Sequence, residues 1–162
     1  MSDERADDGD LDAVVSAVLT GSRLLVSIAA RSLGSVDEAV TLPQFRLLVV
    51  LAGRGEAKLV TLAEALDVNP STAMRMADRL ANANLVRRAT NPDNRRESLI
   101  RLTAEGRRVV DEVTARRGAE IEKIVSRLTR DQRQALVTAM AAFNEAGGEP
   151  PVAAHPLGWP SL

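Results

Sequence analysis

Two helix-start signals stand eight residues apart in this 162-residue chain, and they leave little choice for what lies between them. Thr61-Leu62-Ala63-Glu64 has the form of a capping box. A hydroxyl residue is followed three places on by a carboxylate that can reach back to the cap. Asn69-Pro70 is the second signal. Asparagine caps a helix well, and proline fits the first helical position, where the missing N–H would have no partner. The first helix can therefore run only to about Leu66, and Asp67-Val68-Asn69 must be the turn. Aspartate tolerates the left-handed backbone that such a turn can require, and Val68 can pin the turn to the core. Residues 61–83 read as helix, three-residue turn, helix, which is the spacing of a helix-turn-helix. Leu59-Val60 is expected to add a short strand just before it.

The second helix of this unit has two chemistries. Ala73, Met76, Ala77 and Leu80 fall on one side, and Ser71, Thr72, Arg75 and Arg79 on the other. Asn82-Ala83-Asn84 ends it. Leu85 to Ala89 and Ser98 to Leu102 then read as two strands around a turn-rich loop, Asn91-Pro92-Asp93-Asn94 followed by Arg95-Arg96. A helix with small polar and arginine side chains, followed by a basic hairpin, is the arrangement by which a winged helix-turn-helix reads DNA.

The rest of the chain is helical in pattern. Leu11, Val14, Val15, Val18, Leu19, Leu25, Ala29 and Leu33 recur at three- and four-residue spacing. Their apolar face is too wide for one small core and fits a helix packed on its own domain and on a second chain. Thr41 and Gln44 form a capping box with Pro43 in the first turn, opening a nearly apolar helix through Phe45, Leu47, Leu48, Val50 and Leu51. Gly53-Arg54-Gly55 stops it. That G-x-G lacks the Lys-Ser/Thr of a phosphate loop, so it is read as a helix stop. Thr103 caps a long helix with a stripe from Val109 to Leu128, and its alternating charge pairs support it from the solvent side. Thr129 and Gln132 form a third box, opening a last helix with Leu136, Val137, Met140 and Phe143 expected inward. Gly147-Gly148 ends it.

Composition narrows the function classes. There is no cysteine, so disulfides, thiolate metal sites and thiol redox sensing are excluded. The single histidine, His155, lies in a Pro/Gly-rich tail and excludes a His-rich metal site; no metal, cofactor or catalytic residue is expected. Only three aromatics are present, Phe45, Phe143 and Trp159, which suits an all-helical aliphatic core better than a β-sandwich. The net charge of -1 hides an uneven distribution. Residues 1–12 carry Asp3, Glu4, Asp7, Asp8, Asp10 and Asp12 against Arg5, whereas residues 71–101 carry a local excess of four positive charges. Of the 21 basic residues 19 are arginine; phosphate recognition gives that bias, and so does a GC-rich genome. The acidic N-terminus is unlike a secretory signal, and Asp12, Arg23 and Arg31 make Leu11–Leu33 a poor membrane span, so a cytoplasmic protein is expected.

At this point the pattern resembles the MarR (multiple antibiotic resistance regulator) family of bacterial transcription factors. The resemblance covers about residues 11–145 and rests on the order of elements and three motifs. These are Thr41-Leu42-Pro43-Gln44-Phe45, Asp93-Asn94-Arg95-Arg96, and Leu102-Thr103-Ala104-Glu105-Gly106. It implies a mainly α fold with a small β-wing, and a homodimer joined through the first, fifth and sixth helices. It implies binding to a near-palindromic operator in double-stranded DNA, usually as a repressor, with release by a small lipophilic or phenolic effector. The expected division is a disordered acidic terminus at 1–10, a dimerisation helix at 11–40, and a winged helix-turn-helix lobe at 41–102. Dimerisation helices at 103–146 and a Pro/Gly-rich tail at 147–162 complete it.

On this reading the DNA-binding residues are Ser71, Thr72, Arg75, Arg79, Arg87, Arg88, Asp93, Arg95 and Arg96. Arg75 is favoured for a base edge and Arg79 for phosphate. Arg95, at the hairpin tip, suits a narrow A·T-rich minor groove. The resemblance implies that Asp93 holds Arg95 or Arg96 in place. Alternation along the strand sends Arg87 and Arg88 to opposite faces, so one of the two is expected to reach DNA. A ligand crevice is expected near Ile28, Arg31, Phe45 and Arg46, by resemblance alone. Three readings compete: a sequence-tolerant architectural DNA binder with the same fold, a protein-interaction winged helix, and an enzyme. The second would need an apolar surface where this chain has arginines. The third lacks a Ser-His-acid set, a metal cluster and a phosphate loop.

Overall fold

The protein is described from a computed structural model over residues 3–90 and 98–149. Helix α1 (Asp3–Gly34) leads into α2 (Leu42–Arg54), strand β1 (Glu56–Lys58), α3 (Leu59–Ala65) and α4 (Pro70–Asn82). Strands β2 (Val86–Thr90) and β3 (Ser98–Leu102), then α5 (Ala104–Val125) and α6 (Arg130–Ala146), complete the order. The fold is mainly α with a three-stranded antiparallel sheet, in the order β1-β3-β2. β3 lies between its neighbours in a register that sets Ile100 opposite both Ala57 and Arg88, and Arg101 opposite both Glu56 and Arg87.

The local signals act where they were expected, with one exception. Thr41 and Gln44 make both bonds of their capping box, and so do Thr129 and Gln132. Thr103 accepts from the Gly106 N–H at 2.9 Å. The exception is Thr61. No strand forms at Leu59-Val60; β1 ends at Lys58, and α3 begins at once with Lys58 at the cap position, where its side chain makes no capping bond to the helix. Pairing with β3 fixes the chain in extended form through Lys58↔Leu99, so the helix starts where the ladder ends and Thr61 falls inside its first turn.

Helices α3 and α4 end alike. Asp67 (φ 52°) and Asn84 (φ 58°) adopt the left-handed conformation. In each case the N–H after it reaches back five residues, Val68 to Ala63 O at 3.0 Å and Leu85 to Leu80 O at 2.9 Å. This is the Schellman ending, which satisfies otherwise orphaned carbonyls. After α4 it joins two buried leucines, Leu80 and Leu85.

The core lies inside the lobe. Leu47, Leu48 and Leu51 of α2, Leu62 of α3, Ala77 and Leu80 of α4, Val86 and Ile100 of the sheet, and Val109, Val110 and Val113 of α5 form one buried cluster. Elsewhere the chain departs from expectation in two ways. Residues 3–10, expected to be disordered, continue α1. Adding a turn to an existing helix gains one bond per residue fixed, and acidic residues suit a helix N-terminus. Leu136, Val137, Met140 and Phe143, expected inward, are exposed, and no residue of α6 is buried within the protomer. The span Asp10–Gly34 is also long and apolar enough to cross a membrane by length and composition.

Candidate nucleic-acid interface

The second helix of the helix-turn-helix is α4. Its position follows from three buried side chains, Ala73, Ala77 and Leu80, four and three residues apart on one face. The opposite face carries the polar residues. Asn69 caps the helix through Oδ1, which accepts from the Thr72 N–H at 2.8 Å and from the Ser71 hydroxyl at 2.7 Å. The Ser71 proton is thus committed to the cap, and that hydroxyl has only lone pairs to offer outward. Thr72 is the reverse case: its Oγ1 accepts from the Arg75 guanidinium at 3.2 Å, which leaves its proton free to donate. Arg75 is therefore held against the first turn of α4. Arg79, one turn on, is exposed and forms no ion pair among the described residues.

The wing strands carry the next two arginines. Arg87 and Arg88 are both exposed, and the register sends them to opposite faces of the sheet, Arg88 beside Ile100 and Arg87 beside Arg101. Arg88 pairs with Asp78 of α4. No spacing rule connects Asp78 with Arg88, ten residues apart on a helix and a strand, and only the turn at Asn84 brings them together. The pair ties the wing to α4 and neutralises part of Arg88. Arg88 also lines a hollow between the sheet and the two helices, with Lys58, Leu59, Val60, Met74, Ser98 and Ile100. Val60 and Met74 are exposed apolar residues there, another feature the sequence did not single out. Asp93, Arg95 and Arg96 lie outside the described residues.

The four expected ligand contacts are split. Ile28 and Phe45 are buried. Arg31 is exposed, and its guanidinium donates to the Ser27 hydroxyl at 2.5 Å. Arg46 is exposed and forms an ion pair at 3.5 Å with Glu149, just beyond α6. A second surface hollow, at the α3–α4 turn, is lined by Val60, Ala63, Glu64 and Asp67 to Pro70. None of the four residues lines either hollow. Among the described residues no group of three or more His, Cys, Asp or Glu could hold a metal ion.

A helix-turn-helix followed by an antiparallel hairpin, with arginines on the second helix and on the strand beside it, defines a winged-helix DNA-binding protein. The sequence model of the MarR family matches residues 40–98. The chain is 36% identical over 107 residues to the HTH-type transcriptional repressor MdtR of Bacillus subtilis, an alignment that covers 65% of this chain and 69% of that protein. Among solved structures, RV1404 from Mycobacterium tuberculosis is similar at 49% identity and a TM-score of 0.81, over 88% of this chain and 97% of that one. A MarR family protein from Bacillus stearothermophilus, at 18% identity, shares the fold with a TM-score of 0.80 over 87% of this chain and 97% of that one. The chain belongs to the MarR family, whose members are transcriptional regulators that bind DNA.

Proposed function

We propose that the chain acts as a homodimeric, sequence-specific repressor on a near-palindromic operator in the cytoplasm, and that a small lipophilic or phenolic ligand releases it. The observation that carries the paired reading is α6. It spans 17 residues and buries none of them within the protomer. Most helical stability in proteins comes from packing of an apolar face, so α6 needs a surface to pack on. Its apolar residues Leu136, Val137, Met140 and Phe143, like Leu11, Val14, Val15, Val18 and Leu19 of α1, are exposed in the protomer, and clustered exposed apolar side chains mark interaction surfaces. A second copy of the same helices covers them with matching chemistry. The polar residues of α1, including Asp12, Arg23 and Arg31, favour this cover over lipid.

Paired, the two α4 helices present Thr72, Arg75 and Arg79 to successive major grooves, with Ser71 accepting at the N-terminal end. Arg75 is assigned to a base edge and Arg79 to phosphate. Arg87 is the freer phosphate contact on the strand, since Arg88 is engaged by Asp78. Arg95 takes the minor groove, with Asp93 and Arg96 supporting it, as the family resemblance implies. For the effector, Arg31 and Arg46 would supply polar contacts and Ile28 and Phe45 an apolar wall. The division into dimerisation segments at 11–40 and 103–146 around a lobe at 41–102 belongs to the same proposal. Repression is favoured by the likeness to MdtR, which is itself a repressor.

The test is sedimentation of the full chain with footprinting on bound genomic DNA. A dimer protecting a short symmetric site supports the reading. Diffuse protection would favour the architectural alternative, and a monomer would remove the paired operator. Thermal-shift screening against phenolic acids and hydrophobic drugs tests the effector; no response across a broad set removes that part.

A further inference from the structure

One turn of chain at the start of α5 holds the lobe at three carbonyls. The Thr103 N–H donates to Leu85 O at 3.1 Å, and the Thr103 hydroxyl donates to Asn84 O at 2.7 Å. Both carbonyls belong to the left-handed turn that ends α4. The Arg107 guanidinium donates through both terminal nitrogens to Ala52 O at the end of α2, at 3.2 and 3.3 Å. Gly106 closes the contact from the other side: a Cβ built there would stand 2.0 Å from Leu85 O. The same Thr103 oxygen that holds Asn84 O also accepts the Gly106 N–H that starts α5. The cap of α5 and the anchor of α4 are thus one atom, and moving α4 breaks the cap.

We infer that Thr103, Gly106 and Arg107 are positioning residues: they fix the angle at which α4 is mounted on α5, and so set the half-site spacing that the protein accepts. The inference rests on the paired reading proposed above. The leverage is large. The reading end of α4 lies about 18 Å from the joint, at 1.5 Å of rise per residue. A rotation of about ten degrees at the joint moves that end by about 3 Å, roughly the rise of one base pair. Two half-sites must be met one helical turn apart, so a loose joint on each protomer tolerates wrong spacings. None of these three residues is assigned a DNA contact.

The experiment measures binding of the full chain to its mapped operator and to versions with one or two base pairs added or removed between half-sites. Temperature is kept well below unfolding. Wild-type protein is expected to prefer the native spacing by on the order of tenfold or more. Thr103→Ala and Arg107→Met should flatten that preference to roughly threefold or less, and Thr103→Ser, which keeps the hydroxyl, should restore it. Thr41→Ala serves as the control: it removes a helix cap remote from the joint, so it should lower stability and keep the preference. Thr103→Ala and Arg107→Met proteins that weaken equally on every spacing, or retain the wild-type preference, would overturn the inference. Wild-type protein binding every spacing alike would remove the paired-operator reading itself, and the inference with it.

Discussion

Gly106→Ala sets two effects against each other, and the structure decides the sign. Gly106 lies in the first turn of α5, where helix propensity alone favours alanine by about 0.8–1 kcal/mol in an interior position. The added Cβ, however, would stand 2.0 Å from Leu85 O, 2.9 Å from Leu85 C and 3.2 Å from the Leu102 side chain. Reaching even a 3.0 Å separation from that oxygen requires a shift of about 1 Å. The oxygen is backbone and is held by the Thr103 N–H at 3.1 Å, so it cannot swing away as a side-chain tip would. Overpacking of this kind costs roughly 1–3 kcal/mol or more, and a lost hydrogen bond adds about 1 kcal/mol. Against the propensity gain, a net loss of about 2 kcal/mol is expected, or about 4–8 °C in Tm at roughly 2–4 °C per kcal/mol for a chain of this size. Thermal unfolding followed by circular dichroism at fixed protein concentration reads it directly. An unchanged or raised Tm would refute the packing argument.

Four further outcomes are expected. Phe143→Ala, at a side chain 53% exposed in the protomer, should weaken dimerisation by about 3 kcal/mol, on the order of a hundredfold, since the contact is lost twice in a symmetric pair; sedimentation equilibrium checks it, and an unaltered dimer would place the interface elsewhere. Arg79→Ala should lower operator affinity and reduce the slope of log K against log salt by about one per half-site, and a constant slope would deny it a phosphate contact. Arg95→Ala should cost at least about 1 kcal/mol of operator binding without unfolding the dimer; equal affinity at several salt concentrations would end the wing assignment. Glu105 is held below the usual carboxylate range by its hydrogen bond from Arg108. Its contribution is present above the ordinary carboxylate value and lost as the pH falls through the lowered one. The Tm difference between wild type and Glu105→Gln should therefore shrink on acidification, and a difference that widens would contradict the sign.

Much of the fold was legible because its signals are local. Asn69-Pro70 caps a helix whatever surrounds it, since the bond from Thr72 N spans three residues. The boxes at Thr41 and Thr129 form for the same reason, and the left-handed Asp67 follows from turn chemistry. The alternation that separates Arg87 from Arg88 comes from the pleat alone. Thr61 shows the limit of such signals. Its box had the right residues, but pairing of Lys58 with Leu99 set the helix cap three residues earlier.

The chain by itself determined the helix-turn-helix, the strands of the wing and the basic face of α4, because these depend on residues close in sequence. Tertiary structure alone decided which of those arginines are free and how α4 is mounted. Arg88 is engaged because a left-handed Asn84 returns the chain to Asp78, and Gly106 has no room because Leu85 O stands where a Cβ would lie. The fate of Phe143 was likewise tertiary: its periodicity marked an apolar face, and only the protomer left that face uncovered. Periodicity says that a side chain leaves water, while the packing of distant elements decides what covers it.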